Sequence, residues 1–416
     1  MKLPWREAAP LAPELFAGIR RQAVFDCCKW DPQVEDVESL SAIPLVLQPE
    51  AWDEIAALAE RLAAEAMAAE AELAARPALH KLLGLPRRVR AALARAAAAP
   101  SQGAARVLRF DFHATTEGWR ISEANTDVPG GFNEASGFTR LVSAHVPGTV
   151  PAGDPAGRLA DAVAAAVADV PPGAAVALVH ATAFTDDRQV MVFLGRHLEA
   201  RGCRPLLLGP DHLRWRDGRA FAAGAGCEGP IDFLVRFFPA EWLPNLPRRS
   251  GWRHFFAGAA TPASNPAAAL LVQSKRFPLV WDRLETPLPT WRALLPETVD
   301  PREAGWRRGG LDGWVVKPAL GRVGDGIGLT GVTGAKEWKA IDKDIRRHPA
   351  HWAAQRRFEA VPLATPQGPL FPCVGVYTID GRAAGAYGRV AGKPLVDHLA
   401  QDAAVLVAAR EQEAAA

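Results

Sequence analysis

Long apolar runs are missing from this chain. No window approaches the ~20 apolar residues of a membrane-spanning helix, and residues 1–16 hold no apolar stretch of the signal-peptide kind. The expectation is a cytoplasmic protein with no membrane partner. Cysteine is scarce as well. Cys27, Cys28, Cys203, Cys227 and Cys373 are odd in number, scattered, and form no Cys-x-x-Cys pair. That argues against a disulfide framework and suits reduced thiols. The adjacent Cys27 and Cys28 are read as buried rather than reactive. An excess of one charge is also lacking. A net charge of +2 argues against a chain built to coat nucleic acid, so no nucleic-acid partner is expected. Lys and Tyr are few while Ala, Arg, Pro and Trp abound, a bias read as genomic composition.

What remains is ordinary globular material. Hydrophobic content of 49% and charged content of 23% can build packed cores, and 416 residues suggest two or three domains. Residues 1–47 read as short mixed pieces. From Pro49, the stripe Ile55, Leu58, Leu62 and Met67 predicts a long helix that Pro77 ends. A second helix is expected over 80–98, broken near Pro86, and a further helix over 131–146 after a glycine-rich turn. Residues 148–157 resemble a linker. Strands over 174–180, 204–208 and 231–238 with a helix over 187–202 predict a parallel-sheet layer. Helical signals fill 265–295, a β-rich region follows to about residue 390, and 403–416 reads as the end of an Ala/Glu helix.

The most informative feature is polar. Arg109 and Asp111 are two apart, and so are Glu123 and Asn125. Residues i and i+2 of a strand share a face. Residues 113–118 read as a hairpin connection, which sets one cation, two carboxylates and one amide side by side. Two readings stand for this arrangement. One is a surface hairpin with a salt bridge. The other is a hard-oxygen site for Mg²⁺ with an Arg placed to meet phosphate.

Farther on, a strand ending in Lys317 enters a loop with Gly321, Gly324, Gly326 and Gly328. Four glycines in eight residues can turn backbone N–H groups toward an anion, and Lys317 can reach phosphate as a point charge. No Gly-Lys-Ser/Thr closes the loop, so it is no Walker A motif. A strand follows, which makes the loop a flap or a plain glycine hairpin. Gln355 lies in a strand that either bonds an adenine edge through its backbone or is simply amphipathic. Lys275 opens an apolar helix. Arg389 ends a strand and faces either phosphate or a structural carboxylate such as Asp397.

The ordered set resembles the synthetase half of the glutathionylspermidine synthase family. The resemblance runs from Lys29, Trp30 and Asp31 through Arg109, Asp111, Glu123, Asn125, Arg236 to Trp242, Ser274 and Lys275, then Lys317 to Gly324 and Val374 to Gly385. It implies an α+β or α/β chain with an ATP-grasp fold and a preceding α/β (pre-ATP-grasp) domain. The implied segments are a mostly helical 1–100, the metal-binding hairpin and helix 101–150, the central α/β domain 151–260, the nucleotide-binding region 261–402 and a tail 403–416. It implies ATP and Mg²⁺, two ions, as cofactors. Asp111, Glu123 and Asn125 would hold the metal. Arg109 and Arg389 would meet the transferring phosphoryl group. Lys275, Lys317, Gly321, Arg322, Gly324 and Gln355 would bind ATP. Asp186 or Asp187 would meet an amine, a looser match. The implied partners are a small-molecule or peptide carboxylate and an amine, joined through an acyl phosphate. The amidase domain of bifunctional members has no counterpart here. The turn after Asn125 departs from the family pattern, which leaves the substrates open. A non-catalytic ATP-binding protein and a phosphotransferase on the same fold remain the alternatives.

Overall fold

The computed structural model describes residues 3–6, 9–31, 33–34, 36–96, 105–224, 226–256, 259–303, 311–321 and 326–410. Its organising element is a five-stranded antiparallel sheet. The strands lie in the order Gln401–Ala403, Arg382–Ala391, Phe371–Ile379, Val107–Thr115 and Gly118–Asn125. Strand alternation gives this sheet two unlike faces. Phe110, Phe112, Val374, Val376 and Ala386 line one face and are buried. Arg109, Asp111, Glu123 and Asn125 line the other.

The apolar face is covered by the helix Pro49–Ala75. Of the predicted stripe, Ile55 and Leu62 are buried and Leu58 and Met67 half-buried, and Ala59, Ala63, Ala66 and Leu73 complete the buried face. Alanine supplies helix propensity and lets the helix axis lie close to the sheet. Pro49 sits in the first turn, where its missing N–H costs nothing, and Arg76 with Pro77 ends the helix.

The predicted parallel layer is present. Ala263–Ser264, Phe233–Arg236, Ala175–Val179 and Arg204–Leu208 pair in parallel, in that order. Helix Thr185–Glu199 makes the crossover between the last two. Ala175–Val179 is buried at every position, as a strand covered on both faces must be.

A smaller antiparallel sheet orders Thr298–Val299, Trp352–Arg356, Trp314–Pro318 and Gly328–Leu329. Helix Ala335–Arg347 packs on it through Ile341 and Ile345, against Trp314, Val316 and Trp352. The glycine loop therefore does connect two antiparallel strands.

Two expectations are corrected. Residues 403–408 are not the end of a helix. Val405–Ala408 is a strand between Leu45–Leu47 and Thr149–Pro151. A short Val-Leu-Val run flanked by two partners takes its conformation from pairing, which outweighs the alanine content around it. The same pairing turns the expected linker 148–157 into ordered structure, and helix Pro155–Ala166 begins within it. The helix expected over 131–146 is present over 132–143, with a π-helical turn, Asn133–Phe138, continued by the α-helix Thr139–Ser143. Among the described residues no helix is long and apolar enough to cross a membrane.

Candidate active site

The polar face of the central sheet carries the site. Arg109 lies opposite Asn125 and Asp111 opposite Glu123 in the strand register. A bulge after Asp111 leaves Ser122 without a cross-strand partner and turns its carbonyl outward. Thr116 and Glu117 make the turn, with Gly118 at φ +99°. Arg109 grips Asp111 with two prongs, Nε to Oδ1 at 2.7 Å and Nη2 to Oδ2 at 3.1 Å. Asn125 donates Nδ2 to Asp111 Oδ2 at 3.2 Å.

Two lysines reach this face from other elements. Lys275 Nζ lies 2.9 Å from Glu123 Oε2 and donates to the Gly321 carbonyl at 3.2 Å. Lys317 Nζ donates to the Ser122 carbonyl at 2.9 Å and to Gln355 Oε1 at 2.7 Å. The bulge is thus what offers Lys317 its backbone acceptor. Gln355 meets this face through its side chain, and Thr298 Oγ1 accepts its Nε2 at 3.2 Å.

Burial and charge set the protonation states. Burial pushes the Asp111 carboxyl up, and Arg109 offsets only part of that. Burial would also raise Glu123, but the ammonium groups of Lys275 and Lys317 outweigh it and hold the carboxyl down at about 2. Burial pushes Lys317 down to about 8 against the pull of Glu123. Three cations thus face two carboxylates, a balance that favours a polyanionic ligand.

The other predicted residues fall as follows. Arg389 stands across the strand from Cys373 and donates Nη2 to the Asp397 carbonyl at 2.5 Å. The Asp397 carboxylate itself pairs with Lys393 at 2.5 Å. Asp186 and Asp187 open helix Thr185–Glu199. Burial raises Asp186, and nearby Asp31 adds to the rise. Asp186 therefore belongs to a neighbouring acidic group and not to the hairpin carboxylates. Arg322 and Gly324 lie outside the described residues. Cys27 and Cys28 are buried, and burial pushes the Cys27 thiol up to about 12, so it stays protonated.

One residue of the site had no chemical signature in the sequence. Gly375 lies beside Asp111 in the register. A Cβ there would stand 2.8 Å from both Arg109 Cδ and Asp111 Oδ1. The glycine leaves the lane in which the Arg–Asp fork lies.

The donor set suits magnesium. Among the described residues no three His, Cys, Asp or Glu side chains gather as metal ligands. Two carboxylates and an amide are what an ion needs when it keeps water and takes phosphate oxygens as well.

The architecture is that of a glutathione synthetase-like protein. The apo structure of a glutathione synthetase-like effector from Globodera pallida aligns with a TM-score of 0.63 over 96% of this chain and 99% of that one. Identity is 11%, so the likeness is one of fold. A putative gamma-glutamylcysteine synthetase from Methylobacillus flagellatus KT aligns at a TM-score of 0.41 and 13% identity, over 77% of this chain and 83% of that one. That likeness is too loose to bear on the argument. Curated proteins return no match. The family model for the glutathionylspermidine synthase pre-ATP-grasp family matches residues 41–407, and the chain belongs to that family.

Proposed function

We propose that the protein is an ATP-dependent carboxylate–amine ligase with an ATP-grasp nucleotide region following a pre-ATP-grasp α/β domain. One observation carries the reading. A single sheet face gathers Arg109, Asp111, Glu123 and Asn125 and receives Lys275 and Lys317 from two other elements. Family membership adds to it.

Lys275 and Lys317 bind the ATP phosphates. Gly321, whose carbonyl Lys275 already meets, borders them, and the strand bearing Gln355 borders the adenine. Asp111, Glu123 and Asn125 would hold Mg²⁺, which would supply charge neutralisation for the phosphates. As the nucleotide enters, Arg109 and Lys275 exchange carboxylate partners for phosphate oxygens. A substrate carboxylate oxygen then attacks the γ-phosphorus, and ADP leaves. Arg109 and Arg389 meet the charge on the transferring group. The ammonium gives up a proton to solvent, the free amine attacks the acyl carbon, the acyl C–O bond breaks as phosphate departs, and loss of a second N–H proton to phosphate leaves the amide. Asp186 or Asp187 draws the ammonium form of the acceptor toward the site.

The test is ADP and phosphate release with pooled acids and amines. Release that requires both an acid and an amine supports ligation. ATP binding without turnover under all pools favours a non-catalytic protein, and a phosphorylated product favours a phosphotransferase.

Two variants give further expected outcomes. Lys317 loses its proton above about pH 8 in the free site. Phosphate restores the higher pKa, so binding takes up a proton there and weakens as pH rises. The loss approaches about tenfold for each pKa unit regained. Titration of a fluorescent ATP analogue from about pH 7 to 9.5 reads this directly. Lys317→Met should bind more weakly with a flat profile, and equal slopes in both proteins would remove Lys317 from the phosphates. Gly375→Ala drives a methyl into the Arg109–Asp111 fork. Overpacking of this kind costs about 1–3 kcal/mol. Turnover should fall about a hundredfold because the fork is displaced, by analogy with the cost of ångström-scale misplacement. Native turnover in this variant would show that the fork tolerates displacement.

A further inference from the structure

The chain contains only two tyrosines, and both stand against Arg109. The guanidinium carbon lies 5.0 Å from the Tyr387 ring centroid and 5.9 Å from that of Tyr377. The sheet register explains the meeting. Tyr377 is paired with Arg109, and Tyr387 is paired with Gly375, which is itself paired with Asp111. With no side chain on Gly375, Arg109 lies between its own row and the Tyr387 ring.

Both hydroxyls are anchored. Tyr377 donates to the Gly130 carbonyl, which also accepts Arg109 Nη1 at 2.8 Å. Tyr387 donates to Asp402 Oδ1 at 2.6 Å. Asp402 Oδ2 accepts from Lys29 Nζ at 2.9 Å. Lys29 also donates to Glu134 Oε1 at 2.6 Å and to Asp31 Oδ2 at 3.3 Å, and Asp31 accepts from Gln189 at 2.7 Å. An unbroken chain of contacts therefore runs from Arg109 to helix Thr185–Glu199. Backbone space is cleared for it too. Gly131 has φ +93°, and a Cβ there would lie 3.0 Å from the Tyr387 ring and 3.1 Å from the Tyr377 hydroxyl.

Packing alone does not require this. Phenylalanine would fill the same volume, and a buried lysine with its carboxylates carries a desolvation cost. What the arrangement supplies is orientation. A desolvated guanidinium is held by ring faces through its charge, which leaves the edge of its planar fork to hydrogen-bond with carboxylate or phosphate oxygens.

We propose that Tyr377 and Tyr387 are positioning residues, a two-ring clamp that fixes Arg109 as it passes from Asp111 to the transferring phosphoryl group, with Lys29 and Asp402 anchoring the clamp. The proposal rests on the phosphoryl-transfer reading of Arg109. A fixed cation needs no reorganisation when charge develops, so the clamp acts on kcat more than on nucleotide affinity.

The experiment compares Tyr387→Leu, Tyr387→Phe and Asp402→Asn in the full chain. It measures ADP release and the affinity for a non-hydrolysable ATP analogue. Tyr387→Leu should lower kcat about 30-fold, the size of a desolvated cation–π contact, with analogue affinity within about threefold of native. Tyr387→Phe keeps the ring and should recover to within about fivefold of native. A kcat for Tyr387→Leu within about threefold of native, or equal losses of kcat and affinity, overturns the clamp. Should that variant not fold, Asp402→Asn carries the test: a kcat loss of about fivefold at native analogue affinity supports the anchor, and no loss overturns it. Normal turnover in Asp111→Ala would mean instead that the phosphoryl reading has failed. The Arg109 Nε–H resonance then judges the clamp alone. A ring-current shift that disappears in Tyr387→Leu supports it, and an unchanged resonance overturns it.

Discussion

Asp111→Ala is expected to abolish amine-dependent ADP release, with a loss of about a thousandfold or more, the scale seen when a charge-organising group is removed from a phosphoryl-transfer site. Asp111 is the point through which the whole face is connected. It accepts both prongs of Arg109, accepts the Asn125 amide, and faces Glu123 across the strands. Under the proposed function, its removal deletes one metal ligand and frees Arg109 from its resting geometry in one step. The structure also corrects the simplest picture of this variant, in which folding is untouched. Arg109 is buried, and alanine leaves it without its counter-charge. The Gly130 carbonyl and the two tyrosine rings remain to hold it, so the cost is about 2 kcal/mol, the worth of hydrogen bonds to a charged group. Asp111→Asn separates the two effects, because it keeps the shape and removes the charge. Both variants should lack turnover, while urea unfolding should find the asparagine form closer to native. Turnover near the native rate in either one would sink the metal and phosphoryl assignment.

Much of this was legible in the chain because the relevant signals are local. Arg109, Asp111, Glu123 and Asn125 are joined by one short hairpin, and a period of two fixes their shared face. The parallel layer was legible for the same reason, through apolar strands alternating with an amphipathic helix. What was illegible depends on register between distant strands. Gly375, Tyr377 and Tyr387 reach Arg109 only because Phe371–Ile379 pairs with Val107–Thr115, and no local pattern states that pairing. Side-chain roles were less legible than positions. Asn125 presents its amide nitrogen to Asp111, and the Gln355 side chain accepts from Lys317, a contact that no local pattern states. The strand Val405–Ala408 was hidden because pairing on both sides overrode a composition that favours helix.

The segment from Arg236 to Trp242 was recognisable in the sequence yet had no assignable role. The structure supplies one for Arg236, and with it the largest expected effect on stability. Arg236 Nη2 lies 2.6 Å from Asp127 Oδ1, and both side chains are wholly inaccessible to solvent. Asp127 Oδ2 accepts the Ala240 backbone N–H at 3.0 Å. Arg236 also donates to the carbonyls of Asn265 at 3.0 Å, Phe238 at 2.8 Å and Pro266 at 3.3 Å. Asp127 lies two residues beyond the hairpin strand Gly118–Asn125, and Arg236 ends a strand of the parallel sheet. Gln273, two residues before Lys275, accepts the backbone N–H groups of Thr126 and Asp127 at 2.7 and 3.0 Å. The pair therefore sets the hairpin against the parallel sheet, and the Gln273 bonds set it against the lysine arm. Asp127→Ala leaves a buried guanidinium unpaired, which should cost about 3–5 kcal/mol. Against a total stability of about 5–15 kcal/mol that is a large share. The double variant Asp127→Leu with Arg236→Met removes both charges and should regain most of the loss, because a matched apolar pair carries no desolvation cost. Urea unfolding of the single and double variants decides it. If the double variant is as unstable as Asp127→Ala, the unpaired charge is not the cause. If it recovers stability but not ADP release, the same pair is also what holds the two arms of the site in register.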